Sequence, residues 1–127
     1  EEYGVLHQES ADCGVHPVML CTPTNTSARL EKILSKASGF VYCVSRKGVT
    51  GKSTELNKET SDFLEQCRKM TDVPLALGFG LSRAQDLKML HGKAEIAIVG
   101  SALLRSWEEG GESQYRKHLF ELASARN

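Results

Sequence analysis

Short apolar runs alternate along the chain with segments in which apolar residues recur every three or four positions. Four of these runs are almost continuously apolar and cover residues 16–21, 40–45, 73–78 and 94–99. Runs of this length, bounded by Gly, Pro and polar residues, are typical of strands. Because polar residues do not alternate with apolar ones, the pattern predicts strands that are buried on both faces of a sheet.

The segments between the runs carry helix signals. Gly14 is placed to end a first helix, and Ser82-Arg83-Ala84-Gln85 has the S-x-x-Q spacing of a capping box. Gly110-Gly111 separates a short helix from a last amphipathic one. Helices are therefore predicted over residues 1–13, around Leu30 to Ala37, from Asn57 through Met70, from Ser82 through Leu90, over Ala102–Glu109 and around Tyr115 to Leu122.

The resulting order, α-βα-βα-βα-β-α-α, predicts an α/β fold with four parallel strands and flanking helices. The 127 residues contain no low-complexity segment or linker, so residues 1–127 are expected to form a single unit. Acidic and basic side chains balance at 16 each, which gives no electrostatic reason to bind nucleic acid or a membrane surface. The opening Glu1-Glu2 does not resemble a signal peptide, and a cytoplasmic location is expected.

The four cysteines show no metal-binding spacing. Cys13, Cys21, Cys43 and Cys67 form no C-x-x-C pair and match no zinc framework. The prediction is four reduced thiols and no metal site.

Glycine-rich turns follow the third and fourth predicted strands. Gly78-Phe79-Gly80 and Gly100-Ser101 each lead into a helix, and the second helix is short. Glycine allows close approach of the backbone, and a helix N-terminus offers free N–H groups to an anion. Either turn alone is explained by tight strand-to-helix geometry. The two together predict a phosphate site, as in α/β barrels that bind phosphate after their last two strands.

A long polar loop follows the second strand. Within it, Thr50 and Gly51 can offer a hydroxyl and a backbone N–H to the same anion, and the loop has the length of a lid. Its glycines, Gly48 and Gly51, do not have the spacing of a nucleotide-binding P-loop.

Two aromatic residues are candidates for contact with a planar ligand. Phe79 lies between glycines at a strand end, whereas Tyr42 either fills the core or lines a pocket. No catalytic pair is predicted. Aspartates lie on helices or their ends, Glu95 begins a strand at the far end, and the histidines are scattered. Trp107 and Phe120 are expected to pack helices onto the sheet.

The order and spacing of these segments resemble the C-terminal half of the tryptophan synthase α subunit. The segment 37–51, which contains Gly39-Phe40-Val41-Tyr42-Cys43 and Gly48-Val49-Thr50-Gly51, is similar to the family's sixth strand and mobile loop. Pro74 to Gly80 is similar to its seventh strand, and Ile98 to Ala102 to its eighth. Glycine-rich turns also occur in phosphoribosyl isomerase halves, but the loop of Gly48 to Gly51 argues against them.

The resemblance implies half of a (βα)8 TIM barrel, the equivalent of helix 4 to helix 8. It implies cleavage of indole-3-glycerol phosphate to indole and glyceraldehyde 3-phosphate, and a β-subunit partner that carries the pyridoxal phosphate, with no cofactor in this chain. It further implies that Gly51, Gly80, Gly100 and Ser101 hold the substrate phosphate, that Tyr42 and Phe79 face the indole, and that Thr50 lies on the closing loop. A plant protein of this kind would be located in the plastid stroma.

A full barrel needs about 250 residues, so the chain is expected to be a fragment or truncated form. The family's two catalytic carboxylates belong to the other half, and the chain alone is expected to be inactive. A half barrel exposes two strand edges and an apolar sheet face. Two copies are expected to form a homodimer that covers this face; an open, flattened sheet is the alternative.

Overall fold

A four-stranded parallel sheet forms the centre of the chain. The computed structural model describes residues 2–44, 58–78 and 80–125. Within these ranges the elements are α1 (Glu2–Asp12), β1 (Met19–Cys21), α2 (Ser27–Leu34), β2 (Val41–Val44), α3 (Lys58–Arg68), β3 (Leu75–Gly78), α4 (Ala84–Lys88), β4 (Ile96–Ala97) and α5 (Ser101–Ala123). The predicted α/β order is confirmed, although every strand is shorter than its apolar run.

The strands lie in the order in which they occur along the chain, β1-β2-β3-β4. Tyr42 of β2 is aligned with Ala76 of β3, which in turn is aligned with Ile96 of β4. All three neighbouring pairs are parallel, as predicted. The carboxyl ends of the strands therefore lie along one edge of the sheet, and the loops that follow β3 and β4 are neighbours.

The two faces of the sheet differ in burial, so the prediction of strands buried on both faces is confirmed for β3 alone. One face carries the core, because its side chains pack against α2 and α3. This core cluster comprises Cys21, Leu30, Ile33, Leu34, Val41, Cys43, Phe63, Leu64, Cys67, Leu75, Leu77, Leu81 and Leu90. On the opposite face Ala76 is buried, but Leu20 is 60% exposed, and Tyr42 and Ile96 are half-buried. An apolar sheet face is thus partly open in the chain, in agreement with the expectation for half of a barrel.

The end of α1 and the start of α4 test the helix signals in the sequence. Gly14 follows α1 with a φ of 67°, which confirms it as the stop residue. The predicted Ser82–Gln85 capping box is wrong, because Arg83 is the N-cap residue of α4. The Asp86 carboxylate accepts hydrogen bonds from the N–H groups of Ser82 and Arg83, both at 2.9 Å. A carboxylate accepts such bonds more strongly than an amide oxygen, so the cap shifts by one residue.

The last helix, α5, bends at Gly111. The backbone there has φ 62° and ψ −157°, a conformation that favours glycine and interrupts the helix. The predicted break at Gly110-Gly111 is therefore confirmed as a kink between two helical halves. The first half begins at Ser101, one residue earlier than predicted. Within the described ranges, no helix is both long and apolar enough to cross a membrane.

The prediction that Trp107 and Phe120 pack onto the sheet is wrong. Their side chains are 51% and 69% exposed, and Trp107 instead meets Tyr115 edge to face, with ring centroids 5.8 Å apart. The buried positions of α5 are Ser106 and Leu122. Because the kink changes the helical phase between these two positions, the periodicity of one half does not predict the inward face of the other.

At the amino end of the sheet, Glu95 links β3 to α3. Its two carboxylate oxygens accept hydrogen bonds from the Arg68 guanidinium at 2.7 and 2.6 Å. One of the same oxygens also accepts from the Leu75 N–H at 2.7 Å. Glu95 is thus a structural residue at the end opposite the glycine turns, as its place in the sequence predicts.

Replacing Glu95 with Gln is expected to lower the free energy of unfolding by about 1 kcal/mol, because a charge-assisted pair that is partly exposed becomes a neutral one. Urea denaturation followed by circular dichroism measures the change. The matched control is Glu112→Gln, which removes an exposed pair with Arg116 within α5 and should change stability by less than about 0.5 kcal/mol. Equal effects of the two substitutions would contradict the structural role of Glu95.

Candidate functional site

Two glycine turns lie at the carboxyl edge of the sheet. β3 ends at Gly78 and is followed by Gly80, whose φ of 85° is in the region that favours glycine. β4 is followed by Gly100, the N-cap residue of α5. Because β3 and β4 are neighbouring parallel strands, the two turns emerge side by side. The structure therefore brings together the predicted turns at Gly80 and at Gly100-Ser101.

The N-terminus of α5 is open to a ligand. The Gly100 carbonyl accepts from the N–H groups of Leu103 and Leu104 at 3.0 and 3.1 Å, which starts the helix. The backbone N–H groups in the first turn of an α-helix have no carbonyl partner within the helix. At α5, no side-chain hydrogen bond caps this end. Gly100 and Ser101 are exposed, and a Cβ added at Gly100 would meet no atom within 4 Å. Uncapped backbone N–H groups, the Ser101 hydroxyl and unoccupied space in front of Gly100 therefore lie together at the start of α5.

The loop after β3 is held in place by hydrogen bonds to the Asp86 carboxylate. This side chain is only 2% exposed and belongs to α4. In addition to the two backbone N–H groups, it accepts from the Ser82 hydroxyl at 3.3 Å and from the Arg83 guanidinium at 3.5 Å. Asp86 lies on a helix, as the sequence predicts for the aspartates, and its burial and hydrogen bonds make it the anchor of the loop that contains Gly80.

His118 connects the two turns through α5. Its Nε2 donates to the Ser82 carbonyl at 2.6 Å, and its Nδ1 lies 2.6 Å from the Ser106 hydroxyl. Ser106 belongs to the first half of α5 and His118 to the second, so the imidazole holds both halves against the loop after β3. Sequence reasoning missed this role, because 36 residues separate His118 from Ser82 and no local motif marks either one.

Tyr42 reaches the same edge from β2. It lies on the partly open face of the sheet, and its phenol ring extends over the position where a side chain of Gly78 would be. A Cβ at Gly78 would lie 2.6 Å from Tyr42 Cζ, and it would overlap the hydroxyl oxygen. Gly78 is therefore glycine because Tyr42 occupies the adjacent space. The ring is half-buried, so it both fills the sheet face and borders the carboxyl edge.

Three of the predicted site residues, Thr50, Gly51 and Phe79, lie outside the described residues. The other four, Tyr42, Gly80, Gly100 and Ser101, all lie at or extend to the carboxyl edge. Of the acidic residues, Asp12 accepts from Gln8 and Asp62 pairs with Lys58 on helix surfaces. Asp12 and Asp62 thus lie on helices, as the sequence predicts.

On the core face of the sheet, three buried thiols converge. Cys21 Sγ lies 3.6 Å from Cys43 Sγ and 4.0 Å from Cys67 Sγ. Hydrogen bonding with Cys43 and Cys67, together with burial, raises the pKa of the Cys21 thiol. Hydrogen bonds from Cys21 and Cys43 lower the pKa of the Cys67 thiol. Cys13, by contrast, is exposed.

Comparison with known sequences gives one family across nearly the whole chain. The sequence profile of the tryptophan synthase alpha chain matches residues 1–126. The alpha chain of Syntrophotalea carbinolica is 44% identical over 98 residues, which is 77% of this chain and 39% of the relative. That of Bacillus licheniformis is 41% identical over 109 residues, or 86% of this chain and 40% of the relative. The chain thus spans about 40% of the length of these curated relatives.

Solved structures give the same result. The chain superposes on the tryptophan synthase α2β2 complex of Pyrococcus furiosus with a TM-score of 0.80 and 30% identity, covering 93% of this chain and 49% of that one. For the alpha subunit of Campylobacter jejuni the TM-score is 0.81 and the identity 26%, with 95% of this chain and 49% of that one covered. Four parallel strands and their helices therefore match half of a TIM barrel.

Proposed function

The chain belongs to the tryptophan synthase alpha chain family, and we propose that it is the C-terminal half-barrel unit, retaining the phosphate-binding part of the substrate site. The observation that carries this proposal is the pairing of two glycine turns at the ends of neighbouring strands, one of them at the uncapped N-terminus of α5. Phosphate is favoured there because the N–H groups and the helix dipole attract negative charge. The ligand proposed is the phosphate of indole-3-glycerol phosphate or of glyceraldehyde 3-phosphate.

Each predicted residue receives a role within this proposal. The N–H groups at Gly80, Gly100 and Ser101, with that of Gly51, bind the phosphate oxygens, and the Ser101 hydroxyl donates a further hydrogen bond. Tyr42 and Phe79 border the indole side, and Thr50 belongs to the loop that closes over the substrate. Asp86 and His118 act indirectly, since they hold the loop after β3 in position.

In the family's reaction the bond between indole and the glycerol phosphate is broken, which requires general acid and base groups. We assign these to carboxylates of the other half of the barrel. The unit described here therefore binds and orients the phosphate end but does not release indole by itself. It uses no cofactor of its own, because the pyridoxal phosphate belongs to a β-subunit partner, which we propose in analogy with the α2β2 complex of Pyrococcus furiosus. Cytoplasmic location follows from the same assignment.

Replacing Gly100 with Leu is expected to weaken phosphate binding by at least about tenfold, because the new side chain fills the space in front of free N–H groups. The fold should be unaffected, since a Cβ at Gly100 meets no atom and the backbone there is not in the left-handed region. The measurement is titration with glycerol 3-phosphate, followed by the amide chemical shifts of Gly80, Gly100 and Ser101.

Gly4→Leu is the matched control, because Gly4 also has no neighbour within 4 Å and lies in α1, far along the chain from both turns. It should leave the titration unchanged. The proposal fails if the three amides do not shift in the unmodified chain, or if Gly100→Leu binds as the unmodified chain does.

A second candidate function is that of a non-catalytic assembly module. The observation in its favour is the partly open sheet face, where Leu20 is 60% exposed. Such a face is stabilised when a second copy or a β-subunit covers it. Sedimentation equilibrium distinguishes the possibilities: a stable monomer at micromolar concentration excludes the homodimer, and a shift in native mass on adding β-subunit identifies the partner.

A further inference from the structure

Three elements that are distant in sequence bring three thiols together on the core side of the sheet. Cys21 lies in β1 and Cys43 in β2, where the two residues are directly aligned across the parallel strands. Cys67 approaches them from α3. All three side chains are fully buried, and their sulfur atoms lie within 4.8 Å of one another. Cys43 is aligned with Leu77 of β3, and all three thiols belong to the buried core cluster, which the proposed function does not use.

The spacing of the sulfur atoms is that of thiolate ligands around one metal ion. With a metal–sulfur distance of about 2.3 Å, two ligands lie about 3.8 Å apart in a tetrahedral site and about 4.0 Å apart in a trigonal one. The distances from Cys21 to Cys43 and to Cys67 are 3.6 and 4.0 Å. The three sulfurs therefore surround a point that an ion can occupy with little movement of the sheet or of α3.

The number and type of ligands select the ion. Structural zinc sites are tetrahedral and need a fourth ligand, and iron–sulfur clusters need four. Among residues 2–44, 58–78 and 80–125, the group of potential ligands that can share an ion consists of these three thiols alone. The three thiols belong to the same buried core cluster as Val41, Leu64 and Leu77. Soft thiolates in low coordination number favour Cu(I).

We propose that Cys21, Cys43 and Cys67 form a three-sulfur site for one Cu(I) ion. Binding forms three Cu–S bonds and releases the three thiol protons to solvent, with no change in the oxidation state of copper or sulfur. The Arg68 guanidinium acts electrostatically on Cys43 and Cys67, so it offsets part of the negative charge that the copper trithiolate carries. Because the ligands come from β1, β2 and α3, the ion links three elements of the core.

The experiment titrates the reduced, full chain with Cu(I) under anaerobic conditions, in competition with a chromophoric Cu(I) chelator. We expect one ion per chain, three sulfur neighbours and no nitrogen or oxygen neighbour in the copper X-ray absorption spectrum. A rise in melting temperature should accompany loading, since the ion binds only the folded arrangement.

Cys67→Ala should weaken Cu(I) binding by at least about 100-fold, because even partners outside the first ligand shell contribute about 10- to 100-fold. Cys13→Ser is the matched control and should bind Cu(I) as the unmodified chain does, since Cys13 is exposed and separate from the cluster. Far-ultraviolet circular dichroism checks that each variant folds, and the absorption spectrum of the unmodified chain tests the ligand set without any variant.

Three results would overturn the proposal. They are the absence of stoichiometric binding, a copper spectrum with fewer than three sulfurs, and preferential binding of Zn(II) over Cu(I) at equal competition. If no stoichiometric binding occurs, the three thiols serve only to pack the core.

Discussion

Gly78→Ala is expected to lower the free energy of unfolding by about 2 kcal/mol, within the range for inserting a methyl group into packed structure. The added Cβ would overlap the Tyr42 phenol, so either the ring or the end of β3 must move. Tyr42 belongs to β2 and Gly78 to β3, which are the two central strands of the sheet, and Gly78 is buried. Urea denaturation of the variant and of the unmodified chain measures the difference.

A double-mutant cycle identifies the cause of this effect. Tyr42→Leu removes the ring, so Gly78→Ala should cost little in that background, and the two changes should not be additive. Additive effects would show that Gly78 is required for another reason. Phosphate affinity in the same variants reports whether displacement of the ring reaches the carboxyl edge.

Asp86→Ala is expected to lower the free energy of unfolding by about 2–3 kcal/mol, since it leaves backbone donors without their charged acceptor and removes a helix cap. The residue is 2% exposed, and it holds the N–H groups of Ser82 and Arg83 at 2.9 Å. Phosphate affinity should also fall, because the loop that carries Gly80 loses its anchor. Denaturation and the glycerol 3-phosphate titration are the two measurements.

Two controls separate the carboxylate's roles. Asp86→Asn keeps the shape and one acceptor oxygen, so it should lose less stability than Asp86→Ala. Asp62→Ala removes an exposed carboxylate that pairs with Lys58, and it should cost less than about 0.5 kcal/mol. If Asp86→Ala has as small an effect as Asp62→Ala, the anchoring role is wrong.

The pattern of apolar runs was sufficient to predict four strands and their parallel direction. It overestimated their length, most clearly at β4, where only Ile96 and Ala97 pair out of a six-residue run. Apolar residues report burial, whereas a strand also requires a hydrogen-bonded neighbour, and β4 has one on a single side. The error at Trp107 and Phe120 has a different cause: both are large apolar residues, yet they are 51% and 69% exposed, so apolar character alone did not predict the buried side of α5.

The candidate site was predictable as far as it depends on local chemistry. Glycines after strands and the start of α5 are visible in the sequence, and the structure confirms that they are neighbours. The link from His118 to Ser82 and the convergence of Cys21, Cys43 and Cys67 were not predictable. Each depends on the register of several elements, and a change of one residue in a strand would direct the side chain to the opposite face.

The order of the strands in space has a consequence for the architecture as a whole. Within residues 2–44, 58–78 and 80–125, each strand pairs with the strands that immediately precede and follow it along the chain. Stability is then close to a sum of terms for single units and for contacts between consecutive units, as in repeat proteins. This nearest-neighbour arrangement agrees with the TM-score of 0.80 between these units and a solved chain of which they cover 49%.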